Sequence, residues 1–155
     1  MLFRNARKAF LKQIDIAAIE AVIRDAERKT TGEIRVSVFP RIPGSLEVAA
    51  GKVAGRLKMT DTKDRNGVLI LVVPAKRRFV IWGDKAIHEK LGQEFWTRTA
   101  EAVSERFRKE DFTGGLVHGI ETVGRELAAH FPAGPGKHRD QLPDSIDAPD
   151  GGLKT

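Results

Sequence analysis

The sequence predicts an α/β fold, namely a three-layer α/β/α sandwich in which helices flank a small mixed β-sheet. Two observations predict this class. The six consecutive apolar residues of Val68–Val73 are typical of a central strand that is buried on both faces. On either side of that run, apolar residues recur every three or four positions, as they do in amphipathic helices that cover a sheet.

The elements before the central strand form a βαβ unit. Asp15 is a suitable N-cap for a first amphipathic helix. Residues 33–39 alternate apolar and polar, which predicts a half-exposed strand, and residues 45–59 show helical spacing. A strand, a crossover helix and the buried strand imply that the two strands are parallel. Residues 78–82 follow a tight turn, so this third strand is predicted to be antiparallel to the second.

The second half of the ordered region reads as helical. Asp84 is placed to cap a short helix that closes near Gly92, and two longer helices with regular apolar spacing follow. Gly119 and Gly124 lie inside the last helix, where each glycine costs about 1 kcal/mol relative to alanine. Close packing against a neighbouring element is the interpretation that justifies both.

Composition divides the chain into three parts. Residues 1–12 form a basic N-terminal segment, residues 13–131 form the domain, and residues 132–155 are predicted to be a disordered tail. Four of the seven prolines fall in that tail, which has no apolar periodicity. The sequence contains no internal repeat.

Composition and charge also exclude several classes of function. The 155 residues include no cysteine, which rules out disulfides, zinc–thiolate sites and a cysteine nucleophile. The net charge is +6, but the basic residues are scattered among acids, so we expect no nucleic-acid partner. No apolar stretch is long enough for a signal peptide core or a membrane span. We therefore expect a cytoplasmic monomer without membrane insertion, and the sequence identifies no protein partner.

Polar residues are predicted to converge at one edge of the sheet. The start of strand one, the start of strand two and the end of strand three share that edge in the predicted topology. Four carboxylates and one amide lie there: Glu33, Asp61, Asp64, Asn66 and Asp84. Hard cations such as calcium and magnesium require several oxygen ligands in close array, so the sequence predicts a weak divalent-cation site.

Each of these acids also has a structural interpretation. Asp84 is equally suited to cap the helix that follows it. Asp61 and Asp64 alternate with Lys63 and Arg65, which are able to neutralise them without a metal. Complete catalytic motifs are missing: residues 64–67 do not continue as an EF-hand loop, and no serine stands in a G-x-S-x-G sequence.

The same segments resemble the TPM domain family, which includes a thylakoid acid-phosphatase-like protein and a photosystem II repair-like protein. The resemblance is carried by residues 31–36, 65–70 and 79–84, with shorter similarities at residues 95–96, 112–119 and 131–132. It extends over residues 14–132, and the chain is similar to a short standalone bacterial form. The resemblance implies a small α/β sandwich with a polar crevice, calcium or other divalent binding there, and acid phosphatase activity in a plant member.

The leading hypothesis from the sequence is a domain that binds calcium or magnesium at the sheet edge and acts as an accessory or interaction module. The alternative is a weak metal-dependent phosphatase that uses the same crevice. Metal-activated water is the route that the residues permit for such an enzyme, because no nucleophile is evident.

Overall fold

A computed structural model describes residues 2–135 and 144–153. In chain order the helices and strands are α1 Leu2–Gln13, α2 Ile16–Glu27, β1 Ile34–Val38, α3 Leu46–Arg56, β2 Val68–Val73, β3 Arg78–Gly83, α4 Lys85–Arg108 and α5 Phe112–His130. A single 3-10 turn, Met59–Asp61, follows α3, and another, Pro74–Lys76, joins β2 to β3. Within the described residues, no helix is both long enough and apolar enough to cross a membrane.

The three strands form one mixed sheet in the order β1-β2-β3. Strand β1 pairs with β2 in parallel, and β2 pairs with β3 antiparallel, so the predicted topology is confirmed. The register aligns Ile34 of β1 with Val68 of β2, and Val68 with Gly83 of β3. This alignment brings the start of β1, the start of β2 and the end of β3 to one edge.

Alternation along the strands divides the core into two layers. One face of the sheet carries Ile34, Val36 and Ile70 and packs against α1, α2, α4 and α5. The other face carries Leu69 and Leu71 and packs against α3 and the turn that follows it. Every residue of β2 is buried, as its uninterrupted apolar run predicts. The α/β/α sandwich is therefore confirmed, with four helices on one side and one on the other.

Strand β1 differs from its predicted half-exposed character, because all five of its residues are buried. Its polar members are Arg35 and Ser37. Ser37 donates a hydrogen bond to Asp147, which comes from the C-terminal segment of the chain. The alternation of apolar and polar residues identified the strand correctly, but it could not reveal that a distant segment covers the edge.

Part of the predicted disordered tail also differs from the prediction, and the basic N-terminal segment, for which the sequence predicts no secondary structure, is helical. Residues 2–13 form a helix, and Phe10 of that helix is buried against Phe107 and Phe112. Interleaved charges conceal the helical spacing of Phe10 and Ile14 in the sequence. Residues 144–153 lie against the domain and form specific hydrogen bonds with it. Residues 136–143, which belong to the predicted disordered tail, lie outside the described part.

The helical half follows the predicted pattern closely. Gly92 has φ 78° and ψ 156°, so it interrupts α4 where the sequence predicts the end of a short helix. A Cβ atom at Gly119 would lie 3.2 Å from Val103, and one at Gly124 would lie 2.9 Å from Ala26. The two glycines therefore allow α5 to approach α4 and α2, which confirms the packing interpretation.

Candidate functional site

Three loops meet at the sheet edge where the polar residues were expected. The Val68 amide donates to the Glu33 carbonyl at 2.8 Å, and the Asp84 amide donates to the Gly67 carbonyl at 2.9 Å. A further bond, 3.0 Å long, joins the Ala86 amide to the Arg65 carbonyl. These backbone bonds hold the segments around residues 31–33, 61–67 and 83–86 side by side. We call the loop surface that they form the crevice.

A short polar chain crosses the crevice from the first loop to the second. Asn66 donates through Nδ2 to Thr31 Oγ1 at 3.1 Å, and Thr31 Oγ1 donates to Asp64 Oδ2 at 2.8 Å. Asn66 is fully buried, and its Oδ1 atom has no hydrogen-bond partner among residues 2–135 and 144–153. A buried acceptor without a donor costs about 1–3 kcal/mol, so the Asn66 Oδ1 atom is the least satisfied polar group of this loop cluster.

Asp84 is engaged by its own helix and by Arg65. Its Oδ1 accepts the Lys85 amide at 2.7 Å and Arg65 Nη2 at 2.8 Å, and its Oδ2 accepts Arg65 Nε at 2.7 Å. The Asp84 side chain is 3% exposed, whereas that of Arg65 is 46% exposed. The structural interpretation of Asp84 as the cap of α4 is therefore confirmed.

Arg65 is the basic residue that neutralises Asp84 in the crevice. Hydrogen bonding to Asp84 and the charge of Asp84 raise the pKa of Arg65, and the charge of Asp61 raises it further. Arg65 also has φ 49°, a left-handed conformation that is unfavourable for a residue with a side chain. The alternation of acids and bases in residues 61–65 predicts Asp61 or Asp64 as the partner of Arg65, but the Arg65 side chain bonds Asp84.

The remaining two acids occupy different environments. Glu33 is 1% exposed and lies at the start of β1. Asp61 is exposed on the 3-10 turn Met59–Asp61. In the described part of the chain, no three aspartate, glutamate or histidine side chains are grouped closely enough to hold a metal ion. The loops converge as predicted, but their four carboxylates do not form one cluster.

The glycines at this edge have packing roles. A Cβ atom at Gly83 would lie 2.8 Å from the Trp96 ring, and one at Gly67 would lie 3.3 Å from the Met59 carbonyl oxygen. Both glycines therefore let neighbouring groups approach the backbone beside the crevice. Thr31 and Arg65 lie in the segments predicted to meet at this edge, but neither is among the five predicted ligands. Thr31 directly precedes Gly32 and Glu33 in the sequence. This adjacency is the one indication in the sequence that Thr31 belongs to the site.

Replacement of Asp84 by alanine is expected to destabilise the protein by about 1–2 kcal/mol, because α4 loses its N-cap. The loss of both bonds from Arg65 acts in the same direction. Urea denaturation followed by circular dichroism measures the change. Asp84→Asn is the matched control, since asparagine caps helices well and should retain more of the stability. Equal losses in the two variants would show that the charge of Asp84, and not its capping, is what stabilises the fold.

The fold and the crevice define a small α/β domain with a polar site at one edge of a three-stranded mixed sheet. The TPM domain matches residues 5–126, and the chain belongs to this family.

Two solved structures share the fold. BA42 from the psychrophilic bacterium Bizionia argentinensis is 40% identical, with a TM-score of 0.76 over 86% of this chain and 92% of BA42. The N-terminal domain of cg2496 from Corynebacterium glutamicum is 17% identical, with a TM-score of 0.57 over 79% of this chain and 76% of that domain. The second likeness concerns the fold alone. Among curated proteins, none matches this chain.

Proposed function

We propose that the chain is a TPM-type module that binds calcium or magnesium weakly at the crevice and acts through binding, without a catalytic step of its own. The observation that carries the proposal is the buried Asn66 Oδ1 atom, which lacks a donor among the described residues. A hard cation is attracted to amide and carboxylate oxygens of this kind.

Asp64 supplies the charge for such an ion. Its carboxylate is half-buried, and the polar chain through Thr31 connects it to the Asn66 amide. Asp61 is exposed on the adjacent turn and adds negative charge beside the crevice. Glu33 lies deeper at the same edge and is a further candidate ligand.

The residues fit a divalent cation in part. Asp84 is the weakest of the five predicted ligands, because Arg65 and the Lys85 amide already bond its oxygens. An ion beside Asp64 and Asn66 would complete its coordination with water, so we expect a dissociation constant of about 10⁻⁴–10⁻³ M. The ion would satisfy the Asn66 oxygen and draw the three loops together.

A titration of isotope-labelled protein with calcium and then magnesium tests the proposal amide by amide. We expect shifts confined to residues 31–33, 61–67 and 83–86. Asp64→Asn should weaken binding at least about tenfold, because it removes the carboxylate that supplies the charge for the ion. Asn66→Asp should tighten binding, because it replaces a neutral ligand by a charged one of the same shape.

Glu94→Gln is the matched control, since Glu94 is an exposed acid on α4 that pairs with Arg98. It should bind the cation as the unmodified protein does. If all crevice amides stay unchanged at millimolar calcium and magnesium, the proposal is wrong. The phosphatase alternative is tested with the same variants: it requires turnover of a phosphate ester that depends on added metal and disappears in Asp64→Asn.

A further inference from the structure

A pocket of about 670 Å³ lies at the opposite end of the strands from the crevice. It is bordered by α1, the turn that joins β2 to β3, the end of α4 and the start of α5. Its volume falls within the range of about 300–1,000 Å³ that is typical of small-ligand sites. Val72 and Phe79 pair at this end of the sheet, whereas Val68 and Gly83 pair at the crevice. A ligand in this pocket therefore does not compete with a cation at the crevice.

Four phenylalanine rings form the apolar wall of the pocket, and they pack on one another: Phe10, Phe79, Phe107 and Phe112. Their neighbouring ring centroids lie 5.1–6.3 Å apart. Phe10 is buried, but the other three rings are only partly buried. Covering the remaining ring surface with an apolar group is favourable, because it removes that surface from water. The wall therefore favours a ligand with a hydrocarbon body.

Arginines form the rim of the same pocket. Arg77, Arg78 and Arg108 line it and are exposed, and Glu110 is the one acid among the described residues that line it. Within the described part of the chain, Arg77 and Arg108 form no ion pair, and the pair of Arg78 with Glu47 is exposed and 3.8 Å long. Guanidinium groups bind carboxylates and phosphates through two parallel hydrogen bonds. The rim therefore favours a ligand with an anionic head.

Two residues of the rim have an unfavourable backbone conformation. Arg77 has φ 51° and Glu110 has φ 61°, and both values lie in the left-handed region. Four described residues other than glycine have a positive φ, and two of those four line this one pocket. Glycine would adopt either conformation without strain, yet both positions carry charged side chains. Strained residues of this kind cluster at binding sites, so the backbone supports a ligand site independently of the charges.

We infer that this pocket binds an amphiphilic anion, whose carboxylate or phosphate head pairs with the rim arginines and whose hydrocarbon chain packs on the phenylalanine rings. The expected ligand is a free molecule and not a lipid held in a bilayer. The rings are buried or half-buried whereas the arginines are exposed, so a flat membrane surface would meet the arginines and leave the rings uncovered. This inference does not depend on the crevice or on a cation there.

Titration of the isotope-labelled full-length chain with octanoate, below the concentration at which octanoate forms micelles, tests the inference. We expect saturable shifts at the amides of residues 9–13, 77–79 and 107–112. Octyl phosphate should shift the same amides, because it has the same chain and an anionic head. Octanol should bind at least about tenfold more weakly, because it lacks the charge that the arginines bind. Each methylene removed from octanoate should weaken binding by roughly twofold to fourfold.

Arg77→Gly is the most informative variant, because it removes a guanidinium group and relieves the strained backbone in one change. It should weaken octanoate binding at least about tenfold, while its midpoint of urea denaturation stays the same or rises. A residue with only a structural role would lower the midpoint. Glu110→Gln should tighten octanoate binding about twofold or more, because it removes a carboxylate that repels the anionic head. Arg98→Ala is the matched control, since Arg98 is an exposed arginine of α4 outside the pocket, and it should bind octanoate unchanged.

Three results would overturn the inference. Octanol binds as tightly as octanoate, which would show that the rim does not recognise charge. Arg77→Gly binds octanoate as the unmodified protein does, and Glu110→Gln has no effect either, which would show that the head lies elsewhere. Or octanoate produces no saturable shift at the lining amides. Shifts of those amides by phosphatidylglycerol vesicles would in that case assign the arginines to a membrane surface.

Discussion

Replacement of Ile70 by alanine is expected to reduce the free energy of unfolding by about 2–5 kcal/mol. Ile70 is fully buried in the middle of β2, between Val36 of β1 and Ile81 of β3. Its Cδ1 atom lies under Gly119 of α5, where an added Cβ would be 3.5 Å away. The alanine variant therefore leaves a cavity between the sheet and the helix, and neither neighbour is able to collapse freely into it.

Urea denaturation with a fixed m-value measures this loss as a shift of the midpoint. Ile16→Ala is the matched control, because Ile16 is 39% exposed at the start of α2. That variant should change stability by no more than about 0.5 kcal/mol. A loss below 1 kcal/mol for Ile70→Ala would mean that the sheet and α5 are packed less closely than the distances indicate.

Ile70 also illustrates which parts of the fold are readable from the sequence. Its strand is the clearest signal in the chain, because six apolar residues in a row have few interpretations besides a buried strand. The parallel and antiparallel pairings follow from the lengths of the connections, and both are confirmed. Helix ends marked by Asp15 and Asp84 are also confirmed, since each side chain accepts a backbone amide of the helix it precedes.

The contributions of the two chain ends were not predicted. Phe10 packs on Phe112, and Asp147 bonds Ser37, across separations in sequence that local patterns do not encode. Asp147 stands among prolines and glycines that are typical of disorder. Its role depends on the Val38 amide, the Val36 carbonyl and Arg56, all of which lie far from Asp147 in the sequence.

The candidate site was predicted at the level of loops but not of side-chain pairings. Strand order alone places Glu33, Asn66 and Asp84 at one edge, and the structure shows them there. Arg65 forms its ion pair with Asp84 because of its left-handed backbone and the position of the first turn of α4. Those are properties of the folded loops, and residue spacing does not determine them.

Replacement of Gly124 by valine is expected to destabilise the protein by about 1–3 kcal/mol, because the side chain overfills the contact between α5 and α2. A Cβ atom there would lie 2.9 Å from the Cβ of Ala26, closer than two such atoms ordinarily approach. The α2 backbone lies directly behind Ala26, so α5 must move outward. That movement also loosens the buried residues Val123 and Leu127, which face the sheet from the same helix.

Gly55→Val is the matched control, since Gly55 also lies in a helix but a Cβ there meets nothing within 4 Å. Because valine is a better helix former than glycine, this control should leave stability unchanged or slightly increased. A double-mutant cycle with Ala26→Gly then isolates the steric contact. If Ala26→Gly restores part of the stability of Gly124→Val, the contact between residues 26 and 124 is the cause of the destabilisation. Simple additivity of the two losses would place the cost of valine elsewhere in α5.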